Sequence, residues 1–174
     1  PTGVALVDAF ADGVMSQGVD VVDLGLASTD LLYFAAGSLG AAGAMFTASH
    51  NPAGYNGIKF CLSGARPVGA ATGLGTIRGW AEQGLDPVDA PGSRRAHDEL
   101  DAFADHVRSF VDVDALGPLR VVADTANGMG GLVVPAVFAG LPFELEIMFG
   151  ELDGTFPNHP ADPIQPANTA ALRE

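Results

Sequence analysis

The chain has 174 residues, nearly half of them apolar, and a formal net charge of −13 at pH 7. This length and composition suffice for one domain, or for one domain and part of another, with a true core. The acidic charge argues against a nucleic-acid partner, which needs a basic surface. No apolar run reaches the length of a membrane span, so no membrane partner is expected either. The single cysteine, Cys61, cannot form a disulfide within the chain, which favours a reducing, cytoplasmic setting.

Apolar periodicity in the first half predicts alternating helices and strands. Helices are predicted over residues 2–16, 29–39 and 72–83, and strands over 19–24, 43–47 and 57–62. Ser49–Asn56 is rich in Asn, Pro and Gly and is predicted to be a loop, and residues 63–71 are predicted to be irregular. Residues 84–96 hold two prolines and two glycines and are interpreted as a linker.

The second half repeats this alternation. Its elements are predicted to be an amphipathic helix over 97–111, a strand over 119–123, a turn over 124–131, a helix over 132–139, a strand over 144–149 and an extended loop over 152–166. Trp80, Phe103, Phe110 and Cys61 are assigned to the core, and His97, His106 and His159 to surface or loop positions, because none has partners at metal-ligand spacing.

Strand–helix alternation predicts an α/β fold with mixed, largely parallel sheets and helices on both faces. The composition change places a domain boundary near residue 96, giving a first domain over 1–96 and the beginning of a second over 97–174. In such sheets, ligands bind beyond the carboxyl ends of strands. The Ser49 loop follows a predicted strand, so it lies where a ligand site is expected.

The loop around Ser49 combines the groups that phosphoryl transfer through a serine needs. Ser49 offers a hydroxyl nucleophile, the adjacent His50 an imidazole, and Lys59, the chain's one lysine, a compact movable charge. Asn51 adds neutral hydrogen-bonding groups. Taken alone these residues are weak evidence, since Ser-His neighbours and Asn-Pro turns are common.

The order of the residues is more specific than their composition. The string Thr47-Ala48-Ser49-His50-Asn51-Pro52, followed by Tyr55-Asn56-Gly57-Ile58-Lys59, resembles the active-site signature of the α-D-phosphohexomutase superfamily, and more narrowly the phosphomannomutase/phosphoglucomutase group. The resemblance extends along the chain, through Val22–Thr29, Val121–Gly131 and Leu152–His159.

The resemblance implies phosphoglucomutase-like first and second domains, both incomplete, and a role for each loop residue. Ser49 would carry the phosphoryl group that moves between positions 1 and 6 of a mannose or glucose phosphate through a bisphosphate intermediate. His50 and Lys59 would assist proton transfer and offset charge, and Asn51 would shape the loop. A divalent metal, usually Mg²⁺, would contact Ser49 through its phosphate.

One part of the family pattern is absent from these residues. The Asp-Gly-Asp-x-Asp-Arg loop that supplies the remaining metal ligands does not occur, since Asp153-Gly154 stands in another context. The sequence is therefore interpreted as an internal portion of a mutase about four domains long, and the chain alone is expected to be inactive.

Two alternatives remain at this point. One is a sugar-phosphate-binding relative without catalysis, which would lack the metal-binding aspartates. The other is a serine hydrolase using Ser49 and His50, although the chain lacks the Gly-x-Ser-x-Gly elbow of that class.

Overall fold

The computed structural model describes residues 3–49, 51 and 54–174. In chain order the helices and strands are α1 Gly3–Ser16, β1 Val21–Asp23, α2 Thr29–Ser38, β2 Gly43–Phe46, β3 Ile58–Leu62, β4 Arg66–Pro67, α3 Leu74–Gln83, β5 Arg94–Ala96, α4 Leu100–Arg108, β6 Leu119–Asp124, α5 Gly130–Phe138, β7 Phe143–Met148 and α6 Ala170–Arg173. Short 3₁₀ turns precede α3, follow α4 and precede α6. The predicted α/β class is confirmed, and each predicted helix and strand is present with ends shifted by a few residues.

The sheet β2-β3-β4 forms the middle layer of the first half. Its strands are antiparallel, with Phe46 opposite Ile58 and Cys61 opposite Pro67. On one face, Phe10 of α1 contacts Phe46 and Phe60, at ring-centroid distances of 5.4 and 6.0 Å. The antiparallel pairing differs from the parallel pairing expected overall, because β2 and β3 are consecutive strands joined by the Ser49 loop rather than by a helix.

The opposite face of this sheet packs against α2. A Cβ added at Gly43 would meet the Cys61 Sγ at 2.9 Å and Leu32 at 3.3 Å, so this contact is tight. Cys61 is 2% exposed, which confirms its assignment to the core. The other buried apolar residues are Ala11, Leu31, Leu32, Ala35, Ala36, Phe103 and Ala104.

Residues 94–96 are a strand, so the linker interpretation of 84–96 is wrong at its end. β5 pairs in parallel with β1, and Val21 lies opposite Arg94. Arg94 donates to Asp23 at 2.6 Å and to Asp8 at 2.8 Å, and Ser93 donates to the Asp20 carboxylate at 2.8 Å. The backbone N–H of Gly25 and then Arg94 hold the pKa of Asp23 below its usual value. The strand is short and polar, so it gives no apolar pattern.

The second half is built on a two-stranded parallel sheet. Leu119–Asp124 pairs residue by residue with Phe143–Met148, and α5 connects the two strands. A Cβ at Gly131 of α5 would overlap the carbonyl oxygen of Gly150, so only glycine permits this approach of helix and backbone.

Helix α4 contacts both halves of the chain. Phe103 packs edge-on against Phe34 of α2 at 5.7 Å. Arg108 at the end of α4 donates to the carbonyl oxygens of Ala136 and Val137, at 2.8 and 3.0 Å, near the end of α5. Such a contact satisfies helix-terminal carbonyls and opposes the negative end of the helix dipole. The boundary near residue 96 stays a prediction.

Two of the aromatic residues assigned to the core are not buried. Phe103 is 7% exposed, as expected, but Phe110 and Trp80 are 73% and 55% exposed. Phe110 lies beyond the end of α4, which stops at Arg108 and so does not extend the apolar stripe. Trp80 lies on α3, which contains no buried residue. Within the described residues, no helix is long and apolar enough to cross a membrane.

Candidate active site

The Ser49 loop connects two strands that remain paired at its base. The backbone N–H of Thr47 donates to the Gly57 carbonyl at 3.0 Å, one step beyond the last strand pair of β2 and β3. A Cβ at Gly57 would lie 3.1 Å from the Thr47 carbonyl oxygen, so glycine suits this close approach. Both ends of the loop are therefore held by the pairing of β2 with β3.

Ser49 lies in a tight turn within this loop. The Asn51 N–H donates to the Ala48 carbonyl at 3.0 Å, and the Ser49 N–H donates to Thr47 Oγ1 at 2.9 Å. Ser49 has φ of 53°, in the left-handed region that non-glycine residues rarely adopt. Such conformations cost free energy and concentrate at functional sites, where the surroundings maintain them. Ser49 is exposed, so the residue with this unfavourable conformation lies at the surface.

The other predicted site residues of this loop have different positions. The Asn51 side chain donates from Nδ2 to the Ala48 carbonyl at 2.9 Å, and its loop-shaping role stays a prediction. Lys59 is the second residue of β3, exposed and opposite Met45, so it lies at the same end of the hairpin as Ser49. His50 lies outside the described residues.

The described residues do not form a complete metal centre. Across residues 3–49, 51 and 54–174, no three His, Cys, Asp or Glu side chains gather into a set that could hold a metal ion. The described side chains therefore do not form a site for a divalent ion by themselves.

A second group of hydrogen-bonded polar residues lies at the carboxyl ends of β6 and β7. Asn127 is 5% exposed, and its Nδ2 donates to the Glu151 carbonyl at 2.9 Å while its Oδ1 accepts from Asn158 at 2.8 Å. Its backbone N–H donates to Phe149 and its carbonyl accepts from Asp153, both at 2.9 Å. Asn127 thus joins the turn after β6 to the loop after β7.

Positive φ angles mark the same edge of the sheet. Ala126, Asn127 and Phe149 have φ of 49°, 57° and 53°. Asparagine tolerates this region better than alanine or phenylalanine, because its short polar side chain can bond locally. The turn predicted over 124–131 is therefore present, and the surrounding contacts hold it in a costly conformation.

His159 contacts the last residue of β6. Its Nε2 lies 3.1 and 3.0 Å from the two carboxylate oxygens of Asp124, and its Nδ1 lies 3.0 Å from the Pro160 carbonyl oxygen. The side chains of Asp124 and His159 are 6% and 16% exposed. The residue pattern did not predict this pair, because its members are 35 positions apart and lie in two separate stretches of the family resemblance.

The pKa of His159 is raised above its ordinary value. The Pro160 carbonyl is the larger cause, and the Asp124 carboxylate adds to it, while burial acts in the opposite direction. A cavity of about 260 Å³ adjoins the pair and is lined by Asp124, Thr125, Asp162 and neighbouring residues. A separate cavity of about 410 Å³ lies at the carboxyl ends of β1 and β5, beside Asp23 and His97.

The comparisons with known proteins agree with one another. Residues 1–79 match the family model described as phosphoglucomutase/phosphomannomutase, alpha/beta/alpha domain I. A phosphomannomutase of Salmonella montevideo is 41% identical, with 95% of this chain aligned to 38% of that protein. A protein of Xanthomonas campestris pv. campestris named phosphohexose mutases is 38% identical, with 96% of this chain aligned to 38% of that protein.

A solved structure shares the fold. The phosphoglucomutase/phosphomannomutase family protein of Burkholderia thailandensis superposes with a TM-score of 0.81 at 33% identity, covering 95% of this chain and 37% of that one. The chain therefore spans less than two fifths of the length of each of these three proteins.

Proposed function

Because the chain belongs to the phosphohexomutase superfamily, we propose that it carries the phosphoryl-transferring serine, Ser49, of an isomerase that interconverts hexose phosphates. The supporting observation is the conformation of Ser49, an exposed residue held at φ of 53° at a tight turn between paired strands. Mannose and glucose phosphates are the proposed substrates, since one relative bears the name phosphomannomutase and the matching family model is described as phosphoglucomutase/phosphomannomutase.

The proposed reaction moves one phosphoryl group in each of two steps. In the first, the bond between phosphorus and Ser49 Oγ breaks, a bond from phosphorus to a sugar hydroxyl oxygen forms, the hydroxyl loses its proton and Ser49 Oγ gains one. In the second, the bond between phosphorus and the sugar oxygen at the other end of the bisphosphate breaks, a bond from that phosphorus to Ser49 Oγ forms, Ser49 Oγ loses its proton and the freed sugar oxygen gains one. Ser49 is phosphorylated again at the end, so the cycle is balanced.

His50, Lys59 and Asn51 have separate roles in this proposal. His50 and Lys59 take and return the protons and offset the negative charge of the transferring group. Asn51 fixes the turn through its bonds to Ala48. With a net charge of −13, the chain attracts an anionic substrate only where such local cations lie.

Mg²⁺ is the proposed metal, and Ser49 is the contact that this chain offers through its phosphate. A bound Mg²⁺ would polarise the transferring group. Since the described residues form no set of three metal-ligating side chains, the metal's other ligands are proposed to come from residues other than the described ones.

The first test of this proposal concerns the chemical state of Ser49. Mass spectrometry of tryptic or other proteolytic peptides from the purified full-length protein should show phosphate on Ser49, and incubation with a hexose bisphosphate should increase it. Ser63, in the turn after β3, provides an internal control that should stay unmodified. Phosphate on another serine, with none on Ser49, would contradict the proposal.

Lys59 allows the charge and proton roles to be separated. In the full-length enzyme, Lys59→Gln should lower kcat by about 10²-fold or more, because a general acid or base contributes this much. Lys59→Arg keeps the positive charge but cannot give up a proton at neutral pH. It should therefore leave KM close to the parent value while kcat stays low.

The matched control for Lys59 is Arg66 of β4, an exposed cation of the same sheet. Arg66→Gln removes one positive charge and should leave kcat near the parent value. Steady-state kinetics with a hexose 1-phosphate substrate measure all three variants. Equal kcat values for Lys59→Gln and Arg66→Gln would remove Lys59 from the proposed mechanism.

A further inference from the structure

His159 has an oxygen acceptor at each of its two ring nitrogens. Nδ1 lies 3.0 Å from the Pro160 carbonyl oxygen, and Nε2 lies 3.0 Å from the nearer oxygen of Asp124. A neutral imidazole carries one N–H, so one of these contacts would then set a nitrogen lone pair against an oxygen lone pair. Both contacts are satisfied together only by the doubly protonated ring.

The surroundings strengthen this pairing. Asp124 is only 6% exposed, and its Oδ1 also accepts the backbone N–H of Ala126 at 3.0 Å. The Phe149 ring meets the imidazole edge-on at 5.3 Å and keeps water from that side. A paired cation and carboxylate with little access to water interact more strongly than the same pair at the surface.

The contact between His159 and Asp124 attaches one segment of the chain to the end of β6. The loop before His159 is attached to Asn127 through Glu151, Asp153 and Asn158, by bonds whose groups do not titrate near neutral pH. Residues 159–169, called the cavity-side segment, include Pro160, Asp162 and Asn168, which line the cavity of about 260 Å³ beside Asp124. Asn168 bonds to the Asp162 carbonyl, within the segment itself.

We propose that doubly protonated His159 fastens the cavity-side segment to the carboxyl end of β6, so that deprotonation of this one ring loosens the segment and opens the cavity. This conformational device involves neither Ser49 nor the hexose phosphate reaction, and so does not rest on the proposed function. The two elements that form the contact are β6, which supplies Asp124, and the loop after β7, which supplies His159.

The direction of the pH dependence follows from the contacts. The Pro160 carbonyl and the Asp124 carboxylate raise the pKa of His159 above the usual 6.5. The stabilisation is therefore fully present below pH 6.5 and is lost as the pH rises through the higher pKa of the folded state. Besides His159 itself, the charged side chains that line the cavity within the described residues are the carboxylates of Asp124 and Asp162, and Asp124 is the one that contacts the ring.

The direct test observes the ring. Nitrogen-15 NMR of the histidine-labelled, purified protein should show His159 doubly protonated at pH 6.5, with a titration midpoint above that value. A neutral His159 ring at pH 6.5, or a midpoint at or below it, would overturn the proposal. This measurement uses the unmodified protein, so it remains decisive if a variant fails to fold.

Hydrogen exchange tests the consequence. After correction for the intrinsic pH dependence of exchange, protection of residues 159–169 should fall between pH 5.5 and 8.5, while protection of β6 and β7 stays constant. His159→Gln and Asp124→Asn should each abolish this pH dependence. His106→Gln, which changes a histidine that packs between Phe34 and Phe110, should preserve it. A pH dependence that survives in His159→Gln would refute the assignment.

Discussion

Replacement of Ser49 by alanine in the full-length enzyme is expected to lower kcat for hexose phosphate interconversion by at least about 10³-fold, because removal of a covalent nucleophile eliminates the reaction path itself. The loss should appear in kcat, with substrate affinity largely kept. Steady-state kinetics and peptide mass spectrometry measure it. Ser63→Ala, the same chemical change in the turn after β3, should have kcat near the parent value.

A glycine at the same position separates chemistry from backbone conformation. Ser49 has φ of 53°, where alanine is less favourable than glycine by about 1 kcal/mol. Ser49→Gly and Ser49→Ala should therefore be equally inactive, while Ser49→Gly has the higher free energy of unfolding. Activity retained in either variant would remove Ser49 as the phosphoryl carrier. Equal stability would instead show that the turn relaxes when the side chain is removed.

Replacement of Asn127 by alanine should lower the free energy of unfolding by about 2–4 kcal/mol. The change leaves the Glu151 carbonyl and the Asn158 amide without their side-chain partner, in a site where Asn127 is 5% exposed. It also puts alanine at φ of 57°, which asparagine tolerates better. Urea denaturation followed by circular dichroism measures the difference.

Asn168→Ala is the matched control for this prediction. Its side chain makes one bond, to the Asp162 carbonyl at 2.8 Å, in a partly buried part of the loop. Its loss should cost about 1 kcal/mol. Asn127→Gly removes the same side-chain bonds but allows the positive φ without the strain that alanine has there. Its stability should therefore lie between those of Asn127→Ala and the parent. If Asn127→Ala is no more destabilising than Asn168→Ala, the bonds of Asn127 do not join the two loops as described.

The elements with strong apolar periodicity were predictable from the sequence. The helices α1 and α2 and the strands β2 and β3 carry continuous apolar patterns, and each lies close to its predicted position. β5 was missed because its sequence is Arg94-Arg95-Ala96, whose strand conformation depends on partners far away in the chain. Phe110 was misplaced because periodicity does not show where a helix ends.

In the candidate site, too, some features were predictable from the sequence and others were not. A contiguous string predicted Ser49, Asn51 and Lys59 as site residues, and all three lie at one end of a hairpin. The left-handed conformation of Ser49 could not be anticipated, because no glycine or local pattern announces it. The pairing of Asp124 with His159 depends on two loops that meet only after the parallel sheet has formed.

The parallel pairing of β1 with β5 also sets the order in which the first half of the molecule can assemble. Asp20 and Ser93, which flank this pairing, are 73 positions apart, whereas β2 and β3 are joined by a single loop. Contacts between near neighbours along a chain form sooner than distant ones, because closing a long loop loses more entropy. During synthesis, the hairpin that bears Ser49 can therefore form while residues 93–96 are still to be made. The turn that holds Ser49 can then be complete before β5 has joined β1.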